Sequence, residues 1–319
     1  MDVVCCCDNK FIMPTGIMLK SLCENNVNVK IHVIIDDTVT GQDKKNLVSI
    51  VKNYDNNDIF FYLVKDVSFF LRFPSLDLIP RITKSTYYRL FLTDLLPKTL
   101  EKVLYLDSDI IIRHDLTSLW KYDVNGYALG CIIEQSIDDI EIYNRLMYPH
   151  EYGYFNAGVL LINLVYWRRF DLSSKFLRYI RECPERIKYH DQDVLNGVLY
   201  KQKMFLPIKY NVQTAFFYKK EYSKYDYLKY GNEINDAKKN PFIVHFSTEF
   251  KPWNKDCTHP FRESFLYYKG MTQWKDVRLV EEFYPNKTLR NIIGDLFRLL
   301  RLRKKILVQR SDLYFDNKR

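Results

Sequence analysis

The chain has 319 residues, of which 47% are hydrophobic and 27% are charged, and its formal net charge is +9. This length can bury one sizeable core, or one large domain with a smaller appendage. Ten basic and three acidic residues lie beyond residue 285, so this tail carries +7 and the rest of the chain only +2. Because nucleic-acid enzymes usually spread basic charge over a working face, the nearly neutral body argues against nucleic acid as a partner.

Seven cysteines are present, and three of them are consecutive at positions 5, 6 and 7. Neighbouring side chains of a strand point to opposite faces, so consecutive cysteines cannot readily form a disulfide framework. The sequence has no CxxC pair, which argues against a cysteine-based zinc site. It also has no signal-peptide pattern and no run near the ~20 apolar residues of a membrane span. We therefore expect a cytoplasmic protein with reduced, buried thiols.

Strands and helices alternate along the first half of the chain. Apolar runs predict strands at 3–7, 31–35, 59–64, 102–106, 127–134 and 155–163. Apolar residues at helical spacing predict helices at 14–24, after an N-cap at Thr40, at 87–95 and at 191–200. This alternation predicts an α/β fold with a mostly parallel sheet and helices on both faces.

Two carboxylates follow the predicted strand at 102–106 directly, in the run Asp107-Ser108-Asp109, and a second apolar run follows them. Ligands of an open α/β sheet bind at the carboxyl ends of its strands. Residues i and i+2 of an extended segment point the same way, so both carboxylates can face one metal ion. Asp-Ser-Asp is also good turn chemistry, but ionised groups between two hydrophobic runs are costly unless a cation pairs with them.

A second candidate ligand, His245, lies near the end of an apolar run that predicts a strand at 242–246, and Lys251 follows it. A lone histidine in an apolar stretch is more often a hydrogen-bonded core residue. One imidazole nitrogen with two Asp oxygens and phosphate oxygens would nevertheless suit Mn²⁺, and Lys251 would suit a diphosphate oxygen. GxGxxG, GxxxxGK[ST] and GxSxG are all absent from the sequence. A bound nucleotide would therefore be held through the metal, Lys251 and the end of the first strand.

The order of these segments resembles glycosyltransferase family 8, and most of all its bacterial lipopolysaccharide glucosyl- and galactosyltransferases. The matching segments are 3–9, STYYRL at 85–90, 103–109, YFNAGVLLIN at 154–163, HDQDVLN at 190–196, and 245–253. Each motif alone is modest, but their joint order is specific. The resemblance implies a nucleotide-sugar-binding sheet of the GT-A type, with residues 1–285 as the catalytic domain.

The resemblance also implies which side chains bind a UDP-sugar donor. Asp8 and Asn9 should bind the uridine end, and Phe11 should stack on uracil, where family members often have Tyr. Arg89 should contact the donor sugar or its diphosphate, and Asn156 should line the hexose pocket. The implied donor-binding set is Asp8, Asn9, Phe11, Arg89, Asp107, Ser108, Asn156 and Lys251.

By the same resemblance, Asp107, Asp109 and His245 are the metal ligands, for Mn²⁺ or alternatively Mg²⁺. Asp191 and Gln192 are the implied catalytic residues beside the hexose. The family retains anomeric configuration, and a double displacement would require a nucleophile on the opposite face of the sugar. Because an amide is a poor nucleophile, Gln192 at that position favours front-side attack through an oxocarbenium-like ion pair. Asp191 is the alternative, as a covalent nucleophile.

Residues 286–319 differ in composition from the rest of the chain. Apolar residues recur at helical spacing over 289–308, and the basic residues of the segment are clustered. They include Arg298, Arg301, Arg303, Lys304 and Lys305. The pattern predicts a basic amphipathic helix that attaches the protein to an anionic membrane, at the inner face of a bacterial cell membrane. The alternative is a helix packed on the body with its charges solvated.

The predicted function is that of a retaining hexosyltransferase, which moves glucose or galactose from a UDP-sugar to a lipopolysaccharide, oligosaccharide or glycolipid acceptor. No residue decides between the two sugars. One alternative is a non-catalytic nucleotide-sugar-binding protein. Thr248 hints at it, because related sequences commonly have Gly three residues after the metal histidine. A nucleic-acid binder recruited through the tail is disfavoured by the nearly neutral body.

Overall fold

The computed structural model describes residues 1–64, 85–137, 139–217, 224–248 and 251–280. The strands of these residues are β1 (Asp2–Cys7), β2 (Lys30–Ile35), β3 (Asp58–Leu63), β4 (Lys102–Leu106), β5 (Ile110–Ile112), β6 (Leu129–Ile133), β7 (Phe155–Asn163), β8 (Lys203–Phe205), β9 (Val212–Gln213) and β10 (Ile243–His245). The α-helices are α1 (Ile12–Asn25), α2 (Gly41–Val51), α3 (Ser85–Tyr88), α4 (Leu92–Leu95), α5 (Thr117–Trp120), α6 (Ile140–Leu146), α7 (Leu164–Arg169), α8 (Leu172–Glu182), α9 (His190–Leu199), α10 (Lys224–Lys239) and α11 (Arg262–Gly270).

A central sheet with the strand order β3-β2-β1-β4-β7-β6-β8 organises the molecule. Strand β1 runs parallel to β2 and β4, β2 parallel to β3, and β6 parallel to β8. Strand β7 runs antiparallel to both β4 and β6. The predicted α/β fold with a mostly parallel sheet is therefore confirmed, and the predicted strands at 127–134 and 155–163 belong to that sheet.

The two faces of the sheet carry two separate cores, and β1 contributes to both. Val3, Cys5 and Cys7 pack in the core that contains α1 and α2. Cys6, with the other alternate residues of β1, packs in the core that contains α7, α8 and α9. The consecutive cysteines thus point to opposite faces as predicted, and no disulfide bond joins any of the seven cysteines.

The segment predicted as one helix at 87–95 is not continuous. It consists of α3, a 3₁₀ turn over Arg89–Phe91, and α4. Phe91 has a φ of −118° and a ψ of 25°, which lies outside the α-helical region and separates the two helices. The prediction of a single helix was wrong because the spacing of apolar residues does not distinguish an α-helix from a short 3₁₀ turn.

A small second sheet, with the order β5-β10-β9, lies next to the central one. Sequence analysis did not predict it. Strand β5 begins one residue after Asp109, and its antiparallel pairing with β10 sets Ile110 opposite His245. The backbone N–H of Phe246 also donates to the carbonyl of Asp109, at 3.0 Å. The second sheet thus brings together two segments that are far apart in the sequence.

The order of the central strands reverses between β1 and β4, since β2 and β3 lie on one side of this point and β4 and β7 on the other. Open α/β sheets bind ligands at the carboxyl ends of the strands at such a switch point.

None of the described helices has both the length and the apolar character that a membrane span requires. The predicted membrane tail at 286–319 lies outside the described residues.

Candidate active site

Three metal-binding side chains meet beside the switch point. One ligand atom each of Asp107, Asp109 and His245 lies within 4.8 Å of the other two. Nε2 of His245 lies 3.3 Å from Oδ1 of Asp109 and 3.9 Å from Oδ2 of Asp107. The end of β4 supplies Asp107, and the pairing of Ile110 with His245 brings the other two ligands together.

Asp107 is held so that only one of its oxygens faces this cluster. The Tyr105 hydroxyl donates to Oδ1 of Asp107 at 2.9 Å, and Nη2 of Arg89 lies 2.8 Å from the same oxygen. Tyr105 and Arg89 are both buried. Partners of this kind orient a metal ligand from the outer shell, and they leave Oδ2 of Asp107 directed at His245.

Asp109 and His245 are oriented in the same manner. Lys251 Nζ donates to Oδ2 of Asp109, which leaves Oδ1 facing Nε2 of His245. Burial would raise the pKa of Asp109, but the positive charge of Lys251 is the largest opposing influence, and the pKa lies below its usual value. Nδ1 of His245 lies 2.9 Å from Oδ1 of Asn211. An amide oxygen only accepts, so Nδ1 carries the proton and Nε2 has a free lone pair.

This cluster fits a divalent cation. Two carboxylate oxygens and one imidazole nitrogen lie within 4.8 Å of one another, an arrangement that a cation stabilises. Gly158 on β7 leaves the space that this requires. A Cβ atom at position 158 would lie 2.3 Å from Cε1 of His245 and 2.8 Å from Oδ2 of Asp107.

Arg89 joins Asp107 to a second buried carboxylate. Its Nε lies 3.0 Å from Oδ2 of Asp191, although the N–H of Nε is directed at the carbonyl of Thr86. Nη1 donates to the carbonyl of Ala157 at 2.9 Å. Burial raises the pKa of Asp191 to about 7, while the Arg89 guanidinium opposes this rise. Arg89 thus fixes one predicted metal ligand and one predicted catalytic residue relative to each other.

Gln192, the residue after Asp191 on α9, lies in a network of hydrogen bonds. Its Oε1 accepts from the backbone N–H of Ala157 at 3.0 Å and from Nδ2 of Asn156 at 3.2 Å. Its Nε2 donates to Oε2 of Glu134 at 3.3 Å and to the Tyr154 hydroxyl at 3.2 Å. Both ends of the amide are therefore engaged, and the side chain has one defined orientation.

Sequence analysis missed several residues of this site. Glu134 is buried and accepts from Asn156 at 2.7 Å, and burial raises its pKa. It follows directly after β6, so its position at a strand end was a signal that could have found it. Asn211 and Tyr105 had no such signal, because an amide in a loop and a tyrosine in an apolar strand are common in any protein.

The residues predicted for the nucleotide end follow β1. Oδ1 of Asp8 accepts from the backbone N–H of Lys10 at 3.0 Å, and Oδ2 accepts from Ser85 at 3.2 Å. Asn9 is exposed. Phe11 is half-buried and lies edge-on to Trp253, with 6.3 Å between ring centroids.

The side chain of Ser108, one of the predicted donor-binding residues, contacts helix α1. Its hydroxyl is buried and lies 2.8 Å from the Thr15 hydroxyl of α1. The side chain therefore ties the Asp107-Ser108-Asp109 turn to α1, and the role of Ser108 in donor binding stays a prediction.

The fold and the cluster can be compared with known proteins. The solved structure of galactosyltransferase LgtC in complex with donor and acceptor sugar analogs matches with a TM-score of 0.71 and 26% identity, over 86% of this chain and 96% of that chain. The fold and the Asp-x-Asp/His cluster at its switch point therefore define a glycosyltransferase of the GT-A type. The model described as glycosyl transferase family 8 matches residues 2–257, and the chain belongs to that family.

Two relatives show how far the similarity extends. General stress protein A of Bacillus subtilis is 29% identical over 87% of this chain and 96% of its own length. Lipopolysaccharide 1,2-glucosyltransferase of Escherichia coli is 28% identical over 84% of this chain and 77% of its own length. The similarity to each therefore extends over most of the described residues.

Proposed function

We propose that the protein is a retaining hexosyltransferase that moves glucose or galactose from a UDP-sugar to a lipopolysaccharide or other cell-surface glycan. The observation that carries the proposal is the meeting of Asp107 Oδ2, Asp109 Oδ1 and His245 Nε2 at the switch point of the sheet. Membership of a glycosyltransferase family supports the reaction class. The two sugars are suggested by a relative named as a glucosyltransferase and a structure named as a galactosyltransferase.

Asp107, Asp109 and His245 would hold the metal ion, which we propose is Mn²⁺. When bound, such an ion neutralises charge on a leaving diphosphate. The charged side chains around it are already fixed: Lys251 by Asp109 and by the carbonyl of Phe246, and Arg89 by Asp107. Groups positioned before the reaction stabilise developing charge without further reorganisation.

Front-side attack is the proposed mechanism. Gln192 is held at both ends of its amide by hydrogen bonds, which suits an orienting group rather than a nucleophile. Asp191 is buried beside Arg89, and its pKa of about 7 means that a large fraction is protonated at neutral pH. A protonated carboxyl is not a nucleophile, so these features favour the front-side route over a covalent intermediate on Asp191.

We expect UDP release from UDP-glucose or UDP-galactose in the presence of Mn²⁺, and none with EDTA. Asp109→Asn should reduce this release by more than ~100-fold, because it removes a ligand and not merely an outer-shell partner. Asp55→Asn is the matched control, since Asp55 is exposed on a turn and should leave release unchanged. Mn²⁺-dependent binding of UDP without release from either sugar would favour the non-catalytic alternative.

The proposal includes peripheral attachment to an anionic membrane through residues 286–319, which would place the enzyme near a glycolipid acceptor. Deletion of 287–319 should abolish flotation with vesicles that contain phosphatidylglycerol and should spare UDP release. Replacing Arg298, Arg301, Arg303, Lys304 and Lys305 by Gln should weaken flotation similarly, because each basic residue near the surface contributes about 1 kcal/mol. Flotation that survives both changes would contradict the proposed tail function.

A further inference from the structure

A buried asparagine, Asn211, lies between the metal-ligand histidine and the amide cluster around Gln192. Its Oδ1 is 2.9 Å from Nδ1 of His245, and its Nδ2 donates to Oδ1 of Asn156 at 2.8 Å. The relative exposure of Asn211 is 0%, and that of Asn156 and His245 is 6% and 4%. All three side chains are therefore shielded from water, and their polar atoms must find hydrogen-bond partners within the protein.

The direction of these hydrogen bonds is fixed by the backbone of β7. The N–H of Gly158 donates to Oδ1 of Asn156 at 3.0 Å, so that atom must be the amide oxygen. The atom of Asn211 that lies against this oxygen must donate a hydrogen bond, so it is the amino nitrogen Nδ2. The other end of the Asn211 amide, which faces His245, is therefore the oxygen Oδ1. An oxygen at this place requires a proton on Nδ1 of His245 and leaves Nε2 unprotonated in the neutral ring.

A second branch starts one residue earlier on the same strand. The N–H of Ala157 donates to Oε1 of Gln192 at 3.0 Å, and Nδ2 of Asn156 donates to the same oxygen at 3.2 Å. Asn156 therefore takes part in both branches, since its oxygen faces Asn211 and its amino group faces Gln192. Reversing either Asn amide would set two donors or two acceptors against each other in a buried site, which is costly.

We propose that Asn211 is a positioning residue, and that Asn211 and Asn156 form a hydrogen-bond relay from β7 that sets the tautomer of His245 and the orientation of Gln192 together. The inference rests on the proposed function only in taking His245 as a metal ligand. The relay would leave Nε2 of His245 available to the metal without a change of tautomer. Asn156, which bonds to Asn211, would also hold the amide of Gln192.

The tautomer is the direct test, and the wild-type protein alone can decide it. With ¹⁵N-labelled histidine in metal-free protein, the His245 signals should show a proton on Nδ1. His245→Gln identifies those signals by their loss. A His245 ring without a proton on Nδ1 in the wild-type protein would overturn the relay, whatever the protein binds.

Two variants then separate the links of the relay. Asn211→Leu removes both links, and it should lower Mn²⁺ affinity by about 10–100-fold and give a mixture of tautomers. Asn211→Asp keeps an acceptor for Nδ1–H but loses the donor to Asn156. It should hold Mn²⁺ affinity within about threefold while it slows UDP release by on the order of tenfold.

Asn26→Leu is the matched control, because Asn26 is another buried amide, which donates to Leu22 at 3.0 Å and accepts from Leu116 at 2.7 Å. It should lower stability without changing Mn²⁺ affinity or the His245 tautomer. Wild-type affinity and tautomer in Asn211→Leu would refute the relay. Absence of Mn²⁺ binding in the wild-type protein would instead contradict the proposed function, and the tautomer would still decide the relay.

Discussion

Gly158→Ala is expected to abolish Mn²⁺ binding and UDP release, although it adds a single methyl group. The new Cβ would lie 2.3 Å from Cε1 of His245 and 2.8 Å from both Nδ1 of His245 and Oδ2 of Asp107. These atoms belong to two of the three proposed ligands, so at least one ligand must move. A displacement of about 1 Å at a reacting centre can cost on the order of 100-fold in rate. Titration with Mn²⁺ and the UDP-release assay measure the two losses.

Gly270→Ala is the control for this substitution. Gly270 ends α11, and a Cβ there would meet no atom within 4 Å. It should leave Mn²⁺ affinity and UDP release unchanged. Wild-type Mn²⁺ affinity in Gly158→Ala would mean that the metal is not held by His245 and Asp107.

The central sheet could be predicted because the local run of apolar residues in each strand indicates that the strand is buried. Apolar runs such as that of β1 indicate strands buried on both faces, and the Asp107-Ser108-Asp109 run directly after β4 indicates the ligand-binding edge. The position of His245 could not be predicted this way. It depends on the pairing of β10 with β5 across more than a hundred residues, and the predicted strand at 242–246 does not by itself indicate its partner.

The supporting residues were missed for a different reason. Asn211, Glu134 and Tyr105 act through hydrogen bonds to ligands or to Gln192, and those partners are defined only once the strands are packed. Single-residue chemistry does not distinguish such an asparagine from one in an ordinary loop. Family resemblance named the side chains expected to touch the donor, whereas the structure shows which side chains orient them.

Arg89→Met is expected to remove most of the activity and much of the stability. Arg89 is buried, with Nη2 2.8 Å from Asp107 and Nε 3.0 Å from Asp191, and its guanidinium lies 4.4 Å from the centre of the Tyr105 ring. Removing one partner of a buried ion pair costs about 3–5 kcal/mol, because the other charge is left unpaired. Arg89→Lys should be nearly as harmful, since a single ammonium cannot contact both carboxylates with the geometry of a guanidinium. Chemical denaturation and UDP release measure the two effects.

Arg168→Met is the matched control for loss of an arginine. Arg168 donates to the carbonyls of Leu100 at 2.6 Å and Pro97 at 3.1 Å. Both acceptors are backbone carbonyls, and neither contact involves a carboxylate or a proposed metal ligand. This variant should keep UDP release close to that of the wild-type protein. An equal loss of release in Arg168→Met and Arg89→Met would contradict a specific role for Arg89.

The pH dependence of this effect tests how much of it comes from Asp191, one of the two carboxylates that lose Arg89. Burial raises the pKa of Asp191 to about 7 in the folded protein, against 3.8 as its ordinary value, so its contribution to stability is present at low pH and is lost as pH rises through that interval. Without Arg89 the pKa should rise further, because the guanidinium opposes the effect of burial. The destabilisation by Arg89→Met should therefore be larger at about pH 8 than at about pH 5. Adding Asp191→Asn to Arg89→Met should remove that difference between the two pH values and recover stability, without recovering UDP release. A loss of stability in Arg89→Met that is independent of pH would show that Arg89 does not stabilise the protein through Asp191.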